Sequence, residues 1–378
     1  MYLFNHYFPI LKGHSGEFHG LAQVKKEGRN SMTPVFEVPR KDAIKKLSVS
    51  WEKYLYDIAL GIARSWGWYH PVYVDFYDVD CKLKIPGGSS LLNYLFKTLR
   101  ELKVKAIPVV GLERDVEYLE DSNRIACLDD RGICLRLKRE DIELIERSIL
   151  GIEKVSKGIP KEKISILFDF GSINGNENEY ISKILIRAIN LILDIEKYRA
   201  VVFAGTSFPA GYSDIKVDEV KTIKRNEIDI WKGLLSSNKI KRIPSFGDYG
   251  IVNPDMPDFD AKFFNCSGKI RYTLDEEWMI LKGFKLKSSK DYKQFHRLAR
   301  KLKGLVKLQV NENWGDKQID LCSNEMISSG NLTDWVAIDS NRHWASTANQ
   351  IRNSQRKRKK VVILKAVSEG YKKAFKNN

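Results

Sequence analysis

No Cys-x-x-Cys pair occurs in this chain, and its five cysteines, Cys81, Cys127, Cys134, Cys266 and Cys322, are an odd number scattered over 378 residues. That excludes a disulfide framework or a zinc ribbon and points to a reducing cytoplasm. Long apolar stretches are also lacking: none reaches about 18 residues, and no basic start leads into an apolar run, so the chain reads as soluble and unexported, with no membrane partner. The short signatures of common chemistries are missing too. There is no Gly-x-x-x-x-Gly-Lys-Ser/Thr loop, Gly-x-Ser-x-Gly elbow, His-Glu-x-x-His helix or Gly-x-Gly-x-x-Gly turn after a strand.

Acidic charge is scarce in one place only. The formal net charge is +16, but from Arg352 to Asn378 ten Lys or Arg stand against one acid, Glu369, so this tail holds +9 and the preceding residues +7. The body is mildly basic, and a phosphate-rich partner is indicated mainly by the tail, above all Arg356, Lys357, Arg358, Lys359 and Lys360. Runs of like charge are more often solvated than bound, and the tail is expected to extend a helix or to be disordered.

What the sequence has in quantity is short apolar runs, eight of them: Phe8–Lys12, Pro34–Pro39, Val72–Asp78, Ala106–Gly111, Gly132–Leu137, Ile164–Phe170, Ala200–Thr206 and Ile243–Tyr249. Each has the length and β-branched or aromatic content of a buried strand. Helix-like stretches lie between them, at 16–27, 43–65, 91–102, 141–155, 179–196 and 227–235, with only a short helix expected within 113–128. In the second, Leu47, Trp51, Leu55, Ile58, Ala59 and Ile62 recur at spacings of three and four, which gives one apolar face. Strand followed by helix, repeated, predicts an α/β fold, a (β/α)8 TIM-type barrel over 1–252. Beyond it, 253–351 reads as a C-terminal cap too loop-rich to bury a second core easily, with a hairpin at Ile270–Leu281 turning on Asp275-Glu276 and helices after it; 352–378 is the basic tail.

In such a barrel the polar residues at the C-terminal strand ends face one mouth. Alternation along the strands nominates Lys12, Glu37, Asp75, Arg136, Asp169 and Asp248, with Tyr249 beside them. A strand-end charge taken singly is more often a cap or loop anchor than a functional group, but six from six strands is more than packing requires. Glu37, Asp75 and Asp169 are candidate catalytic residues and metal ligands, holding a divalent cation such as Mg²⁺ or Mn²⁺ through oxygen. Lys12, Arg136, Asp248 and Tyr249 would bind a phosphorylated or nucleic-acid ligand. Two carboxylates sharing acid and base work is an open alternative. A salt-bridged plug, in which the carboxylates only compensate the cations, is another. Pro86-Gly-Gly-Ser-Ser90 reads as an anion cradle or, more often for such a loop, as a Ser-capped helix start. Trp314, Trp335 and His343 read as cap residues, cap core before ligand contacts.

Several segments together resemble the phage-type "beta protein" family: Tyr7–Lys12 with Gly16-Glu17, Pro34–Pro39, Phe246–Ile251 with Asn253-Pro-Asp255, Ile270–Trp278 and Gly330–Trp335. The resemblance spans 7–350. It implies one unit from first strand through cap and a setting in phage defence or mobile elements; it carries over no catalytic residue, and the basic tail lies outside it. Two functions follow as expectations. One is a ligand-binding barrel hydrolysing a phosphorylated or nucleic-acid substrate with a divalent metal; the other is a non-catalytic scaffold that binds a partner protein or nucleic acid through cap and tail.

Overall fold

All eight apolar runs are strands of one closed parallel barrel. The computed structural model describes residues 2–41, 48–68, 70–80, 82–256, 266–289 and 291–374, with side chains described as far as 354. In chain order the strands are β1 (Tyr7–Leu11), β2 (Val35–Glu37), β3 (Val72–Asp75), β4 (Ala106–Val110), β5 (Ile133–Leu137), β6 (Ile164–Ser172), β7 (Ala200–Thr206), β8 (Val220–Lys224), β9 (Ser245–Asp248), β10 (Ser267–Thr273) and β11 (Glu277–Lys285). The barrel runs β1 to β7 and closes through β9 onto β1, while β8 leaves it for a second sheet of order β10-β11-β8.

The period-2 pleat separates two cores. Phe8, Ile10, Val35, Tyr73, Val109, Cys134, Leu167 and Val202 fill the interior, whereas Tyr7, Phe36, Val74, Leu135, Phe168 and Phe203 face the helices. The helices form where the sequence supplies a stripe and a cap. Trp51–Trp66 buries Tyr54, Leu55, Ile58, Ala59, Ile62 and Trp66; the Ser50 side chain accepts from the Lys53 amide at its start, and Gly67, at φ +83°, ends it. The helix expected over 43–65 therefore begins at Trp51, and 42–47 lies outside the described residues. The stretch after β4 is a full helix, Val116–Leu128, and the one after β5 breaks into Arg139–Glu143 and Ile145–Val155. Ser90 caps Leu91–Glu101 by accepting from the Asn93 amide, so the Pro86–Ser90 loop starts a helix.

The eighth unit departs from the simple repeat. Between β9 and its helix the chain inserts the cap: the β10–β11 hairpin, turning on Asp275-Glu276 with Thr273 opposite Trp278, and the helices Gln294–Leu305 and Trp314–Ser323. The cap has a core of its own, with Ile270, Tyr272, Leu281, Phe295, Leu298, Leu302, Ile319 and Trp335, although so loop-rich a segment was expected not to bury a second core easily. It is possible because β8, contributed by the barrel's seventh unit, pairs with β11 and enlarges the sheet. The long helix Leu332–Ala374 then returns to the barrel: Trp344, Ala348 and Ile351 join its outer core, and Asn341 Nδ2 donates to the Gly20 carbonyl.

Candidate functional site

The pleat decides which strand-end groups meet. Lys12 follows Ile10, Glu37 follows Val35, Asp75 follows Tyr73, Arg136 follows Cys134 and Asp169 follows Leu167, each two residues beyond an interior side chain. Lateral register places Glu37 beside Asp75 across β2 and β3. All five reach the mouth, and Tyr249 joins them just past β9.

Arg136 is the centre. Its Nη1 donates to Glu37 Oε1 and to Asp75 Oδ2, both at 2.7 Å; Nε and Nη2 donate to Asp169 Oδ2 at 2.9 and 2.7 Å; Nη2 also donates to the Tyr249 hydroxyl at 2.8 Å. Tyr249 in turn donates to Asp169 at 2.7 Å. A second tier surrounds this one. Lys12 Nζ lies 2.9 Å from Glu37 Oε2 and donates to Asp78 at 2.8 Å, and Arg114 donates to the other oxygen of Asp75 at 2.7 Å. The Tyr77 ring stacks against these cations, 4.2 Å from the Arg136 guanidinium and 4.5 Å from Lys138 Nζ. Glu37, Asp75, Arg136, Asp169 and Tyr249 are all 5% exposed or less. Burial works against the charged form of Arg136, but Tyr249 and the three carboxylates outweigh it and hold the guanidinium well above its usual pKa. Burial beside Asp169 likewise raises the Tyr249 phenol.

The donor set does not fit the metal expected at Glu37, Asp75 and Asp169. The three carboxylates converge on the guanidinium, which stands where their shared cation would stand, and among the described residues no group of three His, Cys, Asp or Glu has metal-holding geometry. Phosphate binding by Lys12 and Arg136 meets the same obstacle, since each cation is already paired with carboxylate. The arrangement is the plug among the alternatives raised by sequence. Arg114 was missed because it lies in the loop after β4, beyond the reach of strand alternation; Tyr77 and Asp78 fall within the third run, but were not singled out there, and the structure ends β3 before them, at Asp75.

Asp248 is elsewhere. Phe246, two residues before it, faces the helices, and Asp248 therefore does too; Asp248 and Tyr249 cannot both face the interior. Its carboxylate accepts from the Tyr7 hydroxyl at 2.6 Å and from the Gly250 amide at 3.0 Å, and it meets His343 Nε2 at 3.0 Å. His343 Nδ1 contacts Thr273 Oγ1 at 3.0 Å, and the imidazole stacks on Trp278 at 4.8 Å. Arg225 reaches Asp248 and Glu227, at 3.5 and 3.4 Å. Burial opposes ionisation of Asp248, yet His343, Arg225 and Tyr7 outweigh it and keep the carboxyl below its ordinary range; burial lowers His343 despite Asp248 and raises Glu227. This buried hub joins β1, β9, β10 and the long C-terminal helix. Arg225, Glu227 and Tyr7 were not singled out in the sequence, where Glu227 only opens a helix-like stretch and Tyr7 only begins a segment that carries the family resemblance.

The basic residues Arg356, Lys357, Arg358, Lys359 and Lys360 lie on the backbone of Leu332–Ala374, and their side chains are outside the described residues. Among the described residues no helix is long and apolar enough to cross a membrane.

The family model described as Beta protein matches residues 7–348. No curated protein matches the chain. Among solved structures, the crystal structure of triosephosphate isomerase from Bartonella henselae is similar at 11% identity and a TM-score of 0.37, covering 66% of this chain and 94% of that one.

Proposed function

The chain belongs to the Beta protein family, and we propose that it is a non-catalytic barrel scaffold that presents its basic C-terminal helix to a nucleic-acid partner. The observation that carries the first half is the Arg136 plug: every carboxylate nominated for chemistry is spent on a buried guanidinium, so neither a metal nor a phosphate finds an uncommitted partner there. The second half rests on charge and reach. Among the described side chains of the long helix, Ile351 is the last in the barrel core, and the helix backbone continues to Ala374, about 35 Å further at 1.5 Å per residue. That extension, with the residues after it, holds +9 of the chain's +16. Rich in cations, it suits a phosphate backbone. The phage-defence or mobile-element setting implied by the family resemblance would supply such a partner.

The test compares the full chain with one ending after Ser354 on immobilised DNA and RNA from 50 to 400 mM salt. Neutralising about eight phosphates of a single strand gives a log–log salt slope near −6. The full chain should show a slope of that order and the shortened chain little retention; equal retention of the two overturns the nucleic-acid assignment. Assay of the same nucleic acids with Mg²⁺ or Mn²⁺ tests the other half. Metal-dependent cleavage that Glu37→Gln abolishes would restore the hydrolase.

A further inference from the structure

A cleft of about 320 Å³ lies where the C-terminal helix leaves the body, bordered by the turn after the first barrel helix, by the loop before Trp314 and by helix residues Asn341 to Arg352. Its walls are rich in amides. Gln23, Gln309 and Asn311 are exposed on it, and Asn349 is half-buried. Asn313 and Asn341 also border the cleft, but their amides serve the fold: Asn313 caps the helix at Trp314, and Asn341 bridges the Gly20 carbonyl and the Gly315 amide. Gln23, Gln309 and Asn311 therefore give the cleft its changeable side-chain donors and acceptors, and Asn313 and Asn341 give it rigid walls.

Trp314 lines the same space half-buried, backed by the His19 ring at 5.2 Å. Two cations stand at the rim, each held by an amide oxygen: Lys25 donates to the Asn311 carbonyl at 2.6 Å and Arg352 to Asn349 Oδ1 at 2.8 Å. Glu27 and Glu312 balance them, so the cleft is neutral overall and is not itself a phosphate site. Paired amide donors and acceptors, carboxylate acceptors and an indole in one pocket are the chemistry that reads the polar edge of a flat heterocycle. Position supplies the rest: Arg352 is both a wall of the cleft and the first residue of the basic extension.

We infer that this cleft takes one unpaired nucleobase of a strand whose phosphates lie along the basic helix. The inference rests on the nucleic-acid reading above and adds to it a preference: a base can enter only if it is out of a duplex, so single strands bind better. The experiment measures fluorescence anisotropy of the full chain with a labelled single strand and a blunt duplex of equal length at several salt concentrations. The wild-type chain should favour the single strand about tenfold, the lower end of what one stacked and hydrogen-bonded base supplies. Gln23→Ala with Gln309→Ala, both at exposed positions, should remove that preference and leave the salt slope unchanged. A wild-type chain with the expected slope but equal affinity for both forms, or a preference that survives the double substitution, overturns the cleft inference and leaves the helix reading intact. Absence of salt-dependent binding by the wild-type chain overturns both.

Discussion

At the scale of single residues, Arg136 is the side chain whose loss has the widest effect. Arg136→Met would leave Glu37, Asp75 and Asp169 buried without their shared cation, and breaking a buried charge cluster in this way costs about 3–5 kcal/mol. Arg136→Lys should recover only part of this, because one ammonium cannot reproduce the fork that reaches three carboxylates and Tyr249 together. Urea midpoints of the three proteins at pH 7 read the difference, and a Met variant within 1 kcal/mol of wild type would show that the mouth is solvated. Two histidines set a pH dependence of known sign. Burial pulls His6 down to about 3 and also lowers His343, whereas an unfolded histidine takes up its proton near pH 6.5. At these two positions the unfolded state then binds more protons below that pH, so the histidines' contribution is full above about 6.5 and falls as the medium is acidified, by up to about 1.4 kcal/mol per pH unit for each, whereas Asp339, whose carboxyl burial raises to about 6, works in the opposite direction. Urea unfolding of wild type and His6→Asn at pH 8, 6 and 5 isolates the share of His6: the stability difference between the two proteins should shift toward the variant on acidification by about one histidine's share. A slope untouched by the substitution would mean that His6 is protonated in the folded protein.

At the scale of elements, the contact that seats the last helix depends on small residues. A Cβ on Gly20 would stand 2.5 Å from the Ala337 carbonyl oxygen, and one on Gly16 would stand 2.8 Å from that of Thr333, distances that backbone must move to relieve. Gly20→Ala is therefore expected to cost about 1–3 kcal/mol and to speed hydrogen exchange at Trp344–Ile351. Gly304→Ala, with nothing within 4 Å of its Cβ, should be neutral or slightly stabilising and serves as the control. The same scale explains what could be read in advance. Strand runs were legible because a strand buried on both faces leaves a continuous apolar signature, and the interior parity from Lys12 to Asp169 followed from a period of two. Asp248 was misplaced because two neighbouring residues were both assigned to the interior, and only Phe246, packed on Trp231, fixes which of them points outward. The plug itself was legible only as an alternative. Whether carboxylates surround a metal or a guanidinium depends on how far Arg136 reaches, which is a matter of three-dimensional distance.

At the scale of the whole molecule, barrel and cap are folded through one another. The barrel's seventh unit lends β8 to the cap sheet, and the cap stands between the eighth strand and the helix that completes the outer ring. No sequence pattern announces such an insertion, because nothing in the helix at Leu332 marks it as part of the barrel and its partner in the first barrel helix is more than three hundred residues away. The consequence is that the C-terminal helix has two halves of opposite character. Ending the chain after Ser354 keeps every described residue of the barrel core, so its urea midpoint should stay within about 0.5 kcal/mol of the full chain's equivalent stability. Ending it after Ser340 removes Trp344, Ala348 and Ile351 from the barrel core and His343 from Asp248. Loss of the buried Trp and Ile alone is worth about 5–10 kcal/mol, comparable to the whole stability of a typical domain. That shorter chain should lose its near-ultraviolet circular dichroism and its cooperative urea transition although all eight barrel strands and most of the cap are present. A cooperative fold in the 340-residue chain would mean instead that the barrel closes without its eighth helix, and that the buried hub around Asp248 serves something other than holding the two parts together.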